Sequence, residues 1–89
     1  MPKKIGADKH RESRTLAQAF GAELTRRRLK QGWSQLKLAE TLGYTERYIG
    51  QLERGVKSPT LRTVADIAEV FSTKPSSILR AAERRQGRQ

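Results

Sequence analysis

The 89-residue chain contains no cysteine. This excludes a disulfide framework, a thiolate metal site and a cysteine nucleophile, and it suits a reducing compartment. Its one histidine, His10, stands in a polar leader, so neither a zinc site nor histidine-based catalysis is expected. Aromatic residues make up 6%, few for a protein that stacks on unpaired bases. No apolar run approaches the roughly 20 residues of a membrane-spanning helix. The start Met1-Pro2-Lys3-Lys4-Ile5-Gly6 lacks the apolar segment of a secretory signal. Acidic residues are also scarce, nine against 19 Lys and Arg, for a net charge of +10. These absences leave a small binding module, expected in the cytoplasm, whose partner is a polyanion.

The excess charge is concentrated at the two ends. Residues 1–14 carry five basic and two acidic groups, and residues 79–89 carry four and one. Three parts are expected: a basic, flexible leader over 1–14, a folded domain over 15–82, and a basic tail over 83–89. Two readings stand for the ends, solvated tails or segments that touch phosphates.

Between them, turn signals divide the chain into short helices. Ser13 or Thr15 caps the first, which carries Ala17, Phe20, Gly21, Leu24 and Arg28 on one stripe and stops at Gly32. Ser34 caps a second, with Trp33 and Leu38 at hydrophobic-staple spacing and Gly43 as its stop. Thr45 caps a third, Tyr44 and Ile49 repeat the staple, and Gly55 ends it. Ile49 and Leu52 face inward, leaving Arg47, Tyr48, Gly50, Gln51 and Arg54 outside. Ser58-Pro59 reads as the start of a fourth helix with Leu61, Val64, Ala65 and Ala68 inward and Ile67 and Phe71 on the flank. Lys74-Pro75 opens a fifth with Ile78, Leu79 and Ala82. Nothing alternates with period two, so the expected fold is all-α.

The most informative stretch is residues 34–55, SQLKLAETLGYTERYIGQLERG. A tight turn at Gly43 joins two short helices, Ala39 gives room where they cross, and Ile49 with Leu52 hold the second helix from one side. A helix roughly 10–12 Å wide with its side chains fits a major groove about 12 Å across. Through Ser34-Gln35, Leu38-Ala39, Leu42-Gly43, Thr45, Tyr48-Ile49, Gln51-Leu52-Glu53-Arg54-Gly55 and Pro59, the stretch resembles the helix-turn-helix of the Cro and phage-repressor type, the XRE family. The resemblance covers residues 22–72 well and 73–82 loosely. It implies a compact five-helix bundle of the lambda-repressor-like type and sequence-specific binding of double-stranded DNA. The recognition helix, 45–54, would lie in the major groove, and the protein would often act as a homodimer.

By that resemblance Thr45, Glu46, Arg47 and Gln51 face base edges, while Gln35, Tyr48, Arg54 and Lys57 contact phosphates. The chemistry is suitable: Arg47 matches guanine O6 and N7, Gln51 matches adenine N6 and N7, and Glu46 accepts from cytosine N4. Alternatives stay open. Glu46 also complements the helix dipole, and Arg47 also suits a phosphate. Gly50, mid-helix, marks either close approach to DNA or a tolerated cost of about 1 kcal/mol. Arg28 lies on the core-facing stripe and needs a partner, which the family fold supplies in Glu53, giving a partly buried ion pair. Arg26, Arg27, Lys30 and Lys37 read as a mixture of phosphate contacts and solvated charge. Phe71, Ile78 and Leu79 either close the core or form the dimer interface.

These residues describe a DNA-binding transcriptional regulator, bacterial or phage-encoded and nucleoid-associated. No cofactor, no metal ligand, no membrane contact and no catalytic set are expected. The resemblance extends to restriction-modification controllers, through Arg47-Tyr48-Ile49-Gly50, and to antitoxins with a toxin as protein partner. A non-specific architectural nucleic-acid-binding protein is the rival. Small-molecule induction is not expected within a chain so short.

Overall fold

Four of the five helix starts can be traced to a short polar side chain that supplies what the first turn lacks. In the computed structural model, which describes residues 14–87, five helices follow in order: α1 Leu16–Lys30, α2 Gln35–Leu42, α3 Glu46–Arg54, α4 Leu61–Val70 and α5 Pro75–Gly87. Thr15 caps α1 through a reciprocal box. Its Oγ1 accepts from the Gln18 N–H at 3.0 Å, and Gln18 Oε1 accepts from the Thr15 N–H at 3.0 Å. Ser34 and Thr45 accept from Lys37 and Tyr48 N–H, each at 3.0 Å, at the starts of α2 and α3. Ser13, His10 and the rest of the leader to position 13 lie outside the described residues, as do positions 88–89.

Two expectations for α4 are corrected. It begins at Leu61 under a Thr60 cap, whose Oγ1 accepts from Thr63 N–H at 3.0 Å, and not at Ser58-Pro59. Its buried face is Thr63, Val64, Ile67 and Ala68, whereas Leu61 is 83% exposed and Ala65 is exposed. The later start lets a threonine hydroxyl serve the first turn. It also moves Leu61 to the end of the helix, one turn ahead of the buried stripe.

The core joins all five helices through Phe20 and Leu24 of α1, Leu38 and Ala39 of α2, Ile49 and Leu52 of α3, Val64, Ile67 and Ala68 of α4, and Ile78 and Ala82 of α5. Fully enclosing a Leu, Ile or Phe contributes about 1.5–3 kcal/mol each. Trp33 and Phe71 close one edge, their rings stacked at 5.7 Å. This corrects the possible dimer role of Ile78, which has no exposed surface at all. Phe71 and Leu79 are half-buried against the same core.

α1 is the central element, packed on α3 along one side and on α5 along the other. On the α5 side it carries Glu23, a buried acid that lies off the stripe of Phe20, Leu24 and Arg28. Its carboxylate receives Arg26 (Nη2 at 2.8 Å), Arg27 (Nε at 2.7 Å) and Arg85 of α5 (Nε at 3.1 Å). Burial raises the Glu23 pKa, but the hydrogen bonds from Arg26, Arg85 and Arg27 outweigh it and hold the group down at about 2. Arg26 is in turn pushed above its ordinary value by its bond to Glu23. Arg26 and Arg27 are thus held by an acid rather than merely solvated. Residues 83–87, expected within the basic tail, continue α5, and Arg85 fastens them to α1.

Candidate nucleic-acid interface

The turn between α2 and α3 depends on Gly43. At φ 80° it adopts the left-handed conformation that glycine takes without strain, and Gly55 at φ 74° ends α3 the same way. The N–H groups of Gly43 and Tyr44 both reach the Ala39 carbonyl, at 2.8 and 2.9 Å, which closes α2 and sets the direction of α3. Ala39 is buried at that crossing, as its small side chain requires.

α3 is held from one side by both packing and charge. Ile49 and Leu52 are completely enclosed. Arg28 Nε donates to Glu53 Oε2 at 2.6 Å, its Nη2 donates to Oε1 at 3.1 Å, and its Nη1 donates to the Trp33 carbonyl at 2.7 Å. Gln35 Nε2 adds a bond to Glu53 Oε1 at 2.8 Å. One carboxylate therefore ties α1, the start of α2 and the end of α3 together, and every member of this buried network has a partner. α1 also approaches the end of α3 at Gly21. A side chain added there would stand 2.2 Å from the Leu52 carbonyl oxygen and 2.5 Å from that of Glu53.

On the outward side, Thr45, Glu46 and Arg47 are exposed at the first turn of α3, and Gln51 is half-exposed one turn later. The Thr45 hydroxyl is engaged as the helix cap. Arg54, the last residue of α3, and Lys57 beyond it are exposed. Gln35 borders the same surface, although its amide N–H is shared with Glu53.

Tyr48 differs from the others. It is half-buried, its ring meets Tyr44 edge to face at 5.4 Å, and its hydroxyl lies 3.4 Å from Thr63 Oγ1. Tyr44 in turn donates to Asp66 Oδ2 at 2.6 Å, and burial together with that bond raises its pKa. The two tyrosines fasten α3 to α4. Gly50, expected on the outside, is buried. A Cβ there would meet Arg54 Nη1 at 3.1 Å and Gln35 Oε1 at 3.9 Å, so side chains of this protein cover it.

The surface therefore presents the exposed first turn of α3 and, beside the last turn of α3, the start of α2, with a guanidinium, a carboxylate and two amides on a rigid support. Helix N-termini carry unpaired N–H groups and partial positive charge, which suits phosphate oxygens. Among the described residues there is no grouping of acids and histidine that would hold a metal ion. No helix among them is long and apolar enough to cross a membrane.

Comparison with known proteins places this geometry among relatives. The family model described as helix-turn-helix matches residues 24–78. The HTH-type transcriptional regulator SutR of Escherichia coli K12 is 40% identical over 53 residues, 60% of this chain and 30% of that protein. The chain thus spans under a third of that relative's length. Among solved structures, the clp gene regulator ClgR from Corynebacterium glutamicum superposes with a TM-score of 0.78 at 25% identity, covering 84% of this chain and 96% of that one. The restriction-modification controller protein C.AhdI from Aeromonas hydrophila gives 0.65 at 30% identity, covering 71% and 94%.

Proposed function

The chain belongs to the helix-turn-helix family of regulators, of the Cro and phage-repressor (XRE) type, and we propose that it binds operator DNA by inserting α3 into the major groove. The observation that carries this reading is the one-sided anchoring of α3. Ile49, Leu52 and the Arg28–Glu53 pair fix its back, and Glu46, Arg47 and Gln51 stand on the free side. Arg47 and Gln51 read base edges, with Glu46 and Thr45 shaping the first-turn contact. Gln35, Arg54 and Lys57 hold phosphates on either side and set the register. Tyr48, whose ring meets Tyr44 and whose hydroxyl lies near Thr63, is the fourth phosphate contact of this reading.

Two copies would present their α3 helices about 34 Å apart, one turn of duplex, on a roughly palindromic site. With Ile78 enclosed, the apolar residues available for a two-fold contact beside α3 are Val56 and Leu61, 65% and 83% exposed. The likeness to a restriction-modification controller over most of that protein's length supports a controller role, and the likeness to ClgR over 96% of its length supports regulation of other genes equally.

Selection from a randomised duplex pool at two salt concentrations tests the reading. An enriched palindrome is the expected result, and uniform binding that disappears with salt would instead indicate an architectural protein. In the same assay Arg47→Ala should relax preference at one base position, while Lys57→Ala should weaken all sequences alike. Equal behaviour of the two variants would refute the division into readers and anchors.

A further inference from the structure

Glu23 organises more positive charge than it neutralises. Three guanidinium groups converge on its carboxylate, from Arg26, Arg27 and Arg85. Arg26 is bound through both Nε and Nη2, whereas Arg27 and Arg85 are bound through Nε alone. The terminal nitrogens of the latter two therefore extend past the acid as fixed forks. Arg26 and Arg27, with Lys30, Gln31 and Phe71, line a cleft of about 150 Å³. Three guanidinium groups thus share one acid, and Lys30 adds a fourth cation with no acid within ion-pair distance among the described residues. The C-terminal end of α1 offsets about half a charge, which leaves an excess of about two to three positive charges.

The cleft is separate from the surface assigned to DNA. α1 meets α3 and its exit through Gln18, Gly21 and Arg28. At roughly 100° per residue, Glu23, Arg26 and Lys30 emerge on the opposite side of the same helix. A duplex lying on α3 therefore does not cover them.

We propose that this cleft binds a small phosphomonoester bearing an apolar or aromatic group. The dianion matches the residual charge, and guanidinium forks held by a buried acid are preorganised for phosphate oxygens. Phe71 supplies an apolar wall. The volume, well below the roughly 300–1,000 Å³ of drug-sized sites, selects a compact ligand over a dinucleotide or a peptide helix.

Trp33, the only tryptophan, stacks on Phe71 and reports occupancy by its fluorescence. The full chain is titrated at constant ionic strength with inorganic phosphate, phenyl phosphate, a glutamate-rich peptide and a short duplex, and amide and Arg Nε–H resonances are followed in parallel. Phenyl phosphate should bind at least about five-fold tighter than phosphate, since stacking on one ring is worth about 1 kcal/mol or more. It should shift Arg27, Lys30, Gln31, Phe71 and Arg85 while leaving Arg47 and Lys57 in place. Lys30→Gln, which leaves the Glu23 cluster intact, should weaken it several-fold with an unchanged melting temperature, and Phe71→Leu should remove its advantage over phosphate. The proposal is overturned if phenyl phosphate shifts all surface arginines equally, if Lys30→Gln has no effect, if the peptide binds more tightly, or if the duplex moves the same resonances.

Discussion

Replacing Gly21 by alanine should destabilise the domain although alanine is the better helix former. In an unconstrained helix the exchange gains about 1 kcal/mol. Here the new methyl would lie 2.2 Å from the Leu52 carbonyl oxygen, 2.5 Å from the Glu53 oxygen and 2.8 Å from the Glu53 carbonyl carbon. All three are backbone atoms in the last turn of α3, so no side-chain rotation relieves the overlap, and the helix must retreat by roughly 1 Å. Overpacking of this kind costs typically 1–3 kcal/mol and sometimes more, and the retreat also lengthens the Arg28–Glu53 bonds. With three backbone atoms inside contact distance the upper end of that range applies, about 3 kcal/mol. After the gain of about 1 kcal/mol, a net loss of about 2 kcal/mol is expected, a fall of about 10 °C in melting temperature for a domain this small.

Gly50→Ala is the matched control. Its methyl meets the movable end of Arg54 at 3.1 Å, so most of the helix-propensity gain of about 1 kcal/mol should survive. Circular dichroism melts and urea titrations of both variants measure the two signs. A Gly21→Ala protein as stable as the parent would refute the claim that α1 and α3 touch backbone to side-chain-free backbone at this point.

Three further outcomes follow from the packing and the charges. Glu53→Ala leaves Arg28 in a site where its side chain is 11% exposed, and should cost about 3–5 kcal/mol, whereas the double change Arg28→Met with Glu53→Leu should cost far less in the same urea titration. Because the Glu23 pKa is depressed to about 2, its contribution is present above the ordinary carboxylate range and is lost as pH falls from about 4.5 through 2. Screening of the half-exposed Arg26 reduces the ideal 3 kcal/mol or so to about 2. The stability gap between the parent and Glu23→Gln should accordingly shrink over that pH window, and a constant gap would contradict the assignment. Ile78→Ala should lower stability by about 2–5 kcal/mol independently of protein concentration, whereas a concentration-dependent loss would return Ile78 to an interface.

The features most legible in the sequence are those set by local chemistry. Ser34 and Thr45 announce the starts of α2 and α3, Gly43 and Gly55 their ends, and the caps and turns occur where those residues stand. Arg28 on a core-facing stripe already demands an acid, and Glu53 meets it at 2.6 Å. At the start of α4 the local signals compete. Ser58-Pro59 and Thr60 are both valid openings, and tertiary packing selects the one that turns Val64 and Ile67 inward. Glu23 carries little signal because a glutamate on a helix is ordinarily solvated. Its signal lay in spacing: Arg26 and Arg27 follow at three and four positions, the two offsets that meet on a helix face. Arg85, 62 residues away, has no local mark. Gly50 read as exposed because the pattern of α3 cannot show that Arg54 folds back over it.

The Arg85–Glu23 contact also bears on the order in which the domain assembles. Capping boxes, staples and the α2–α3 turn need only neighbours within a few residues, so they can form as soon as their segments exist. The seam between α1 and α5 closes a loop of 62 positions, and loop closure of that length is the entropic step that slows folding. During synthesis Glu23 meets Arg26 and Arg27 at once, but the groove that receives Ile78 and Ala82 stays open until α5 has left the ribosome. α2 and α3 are thus expected to gain their final rigidity late, when α5 packs back onto α1.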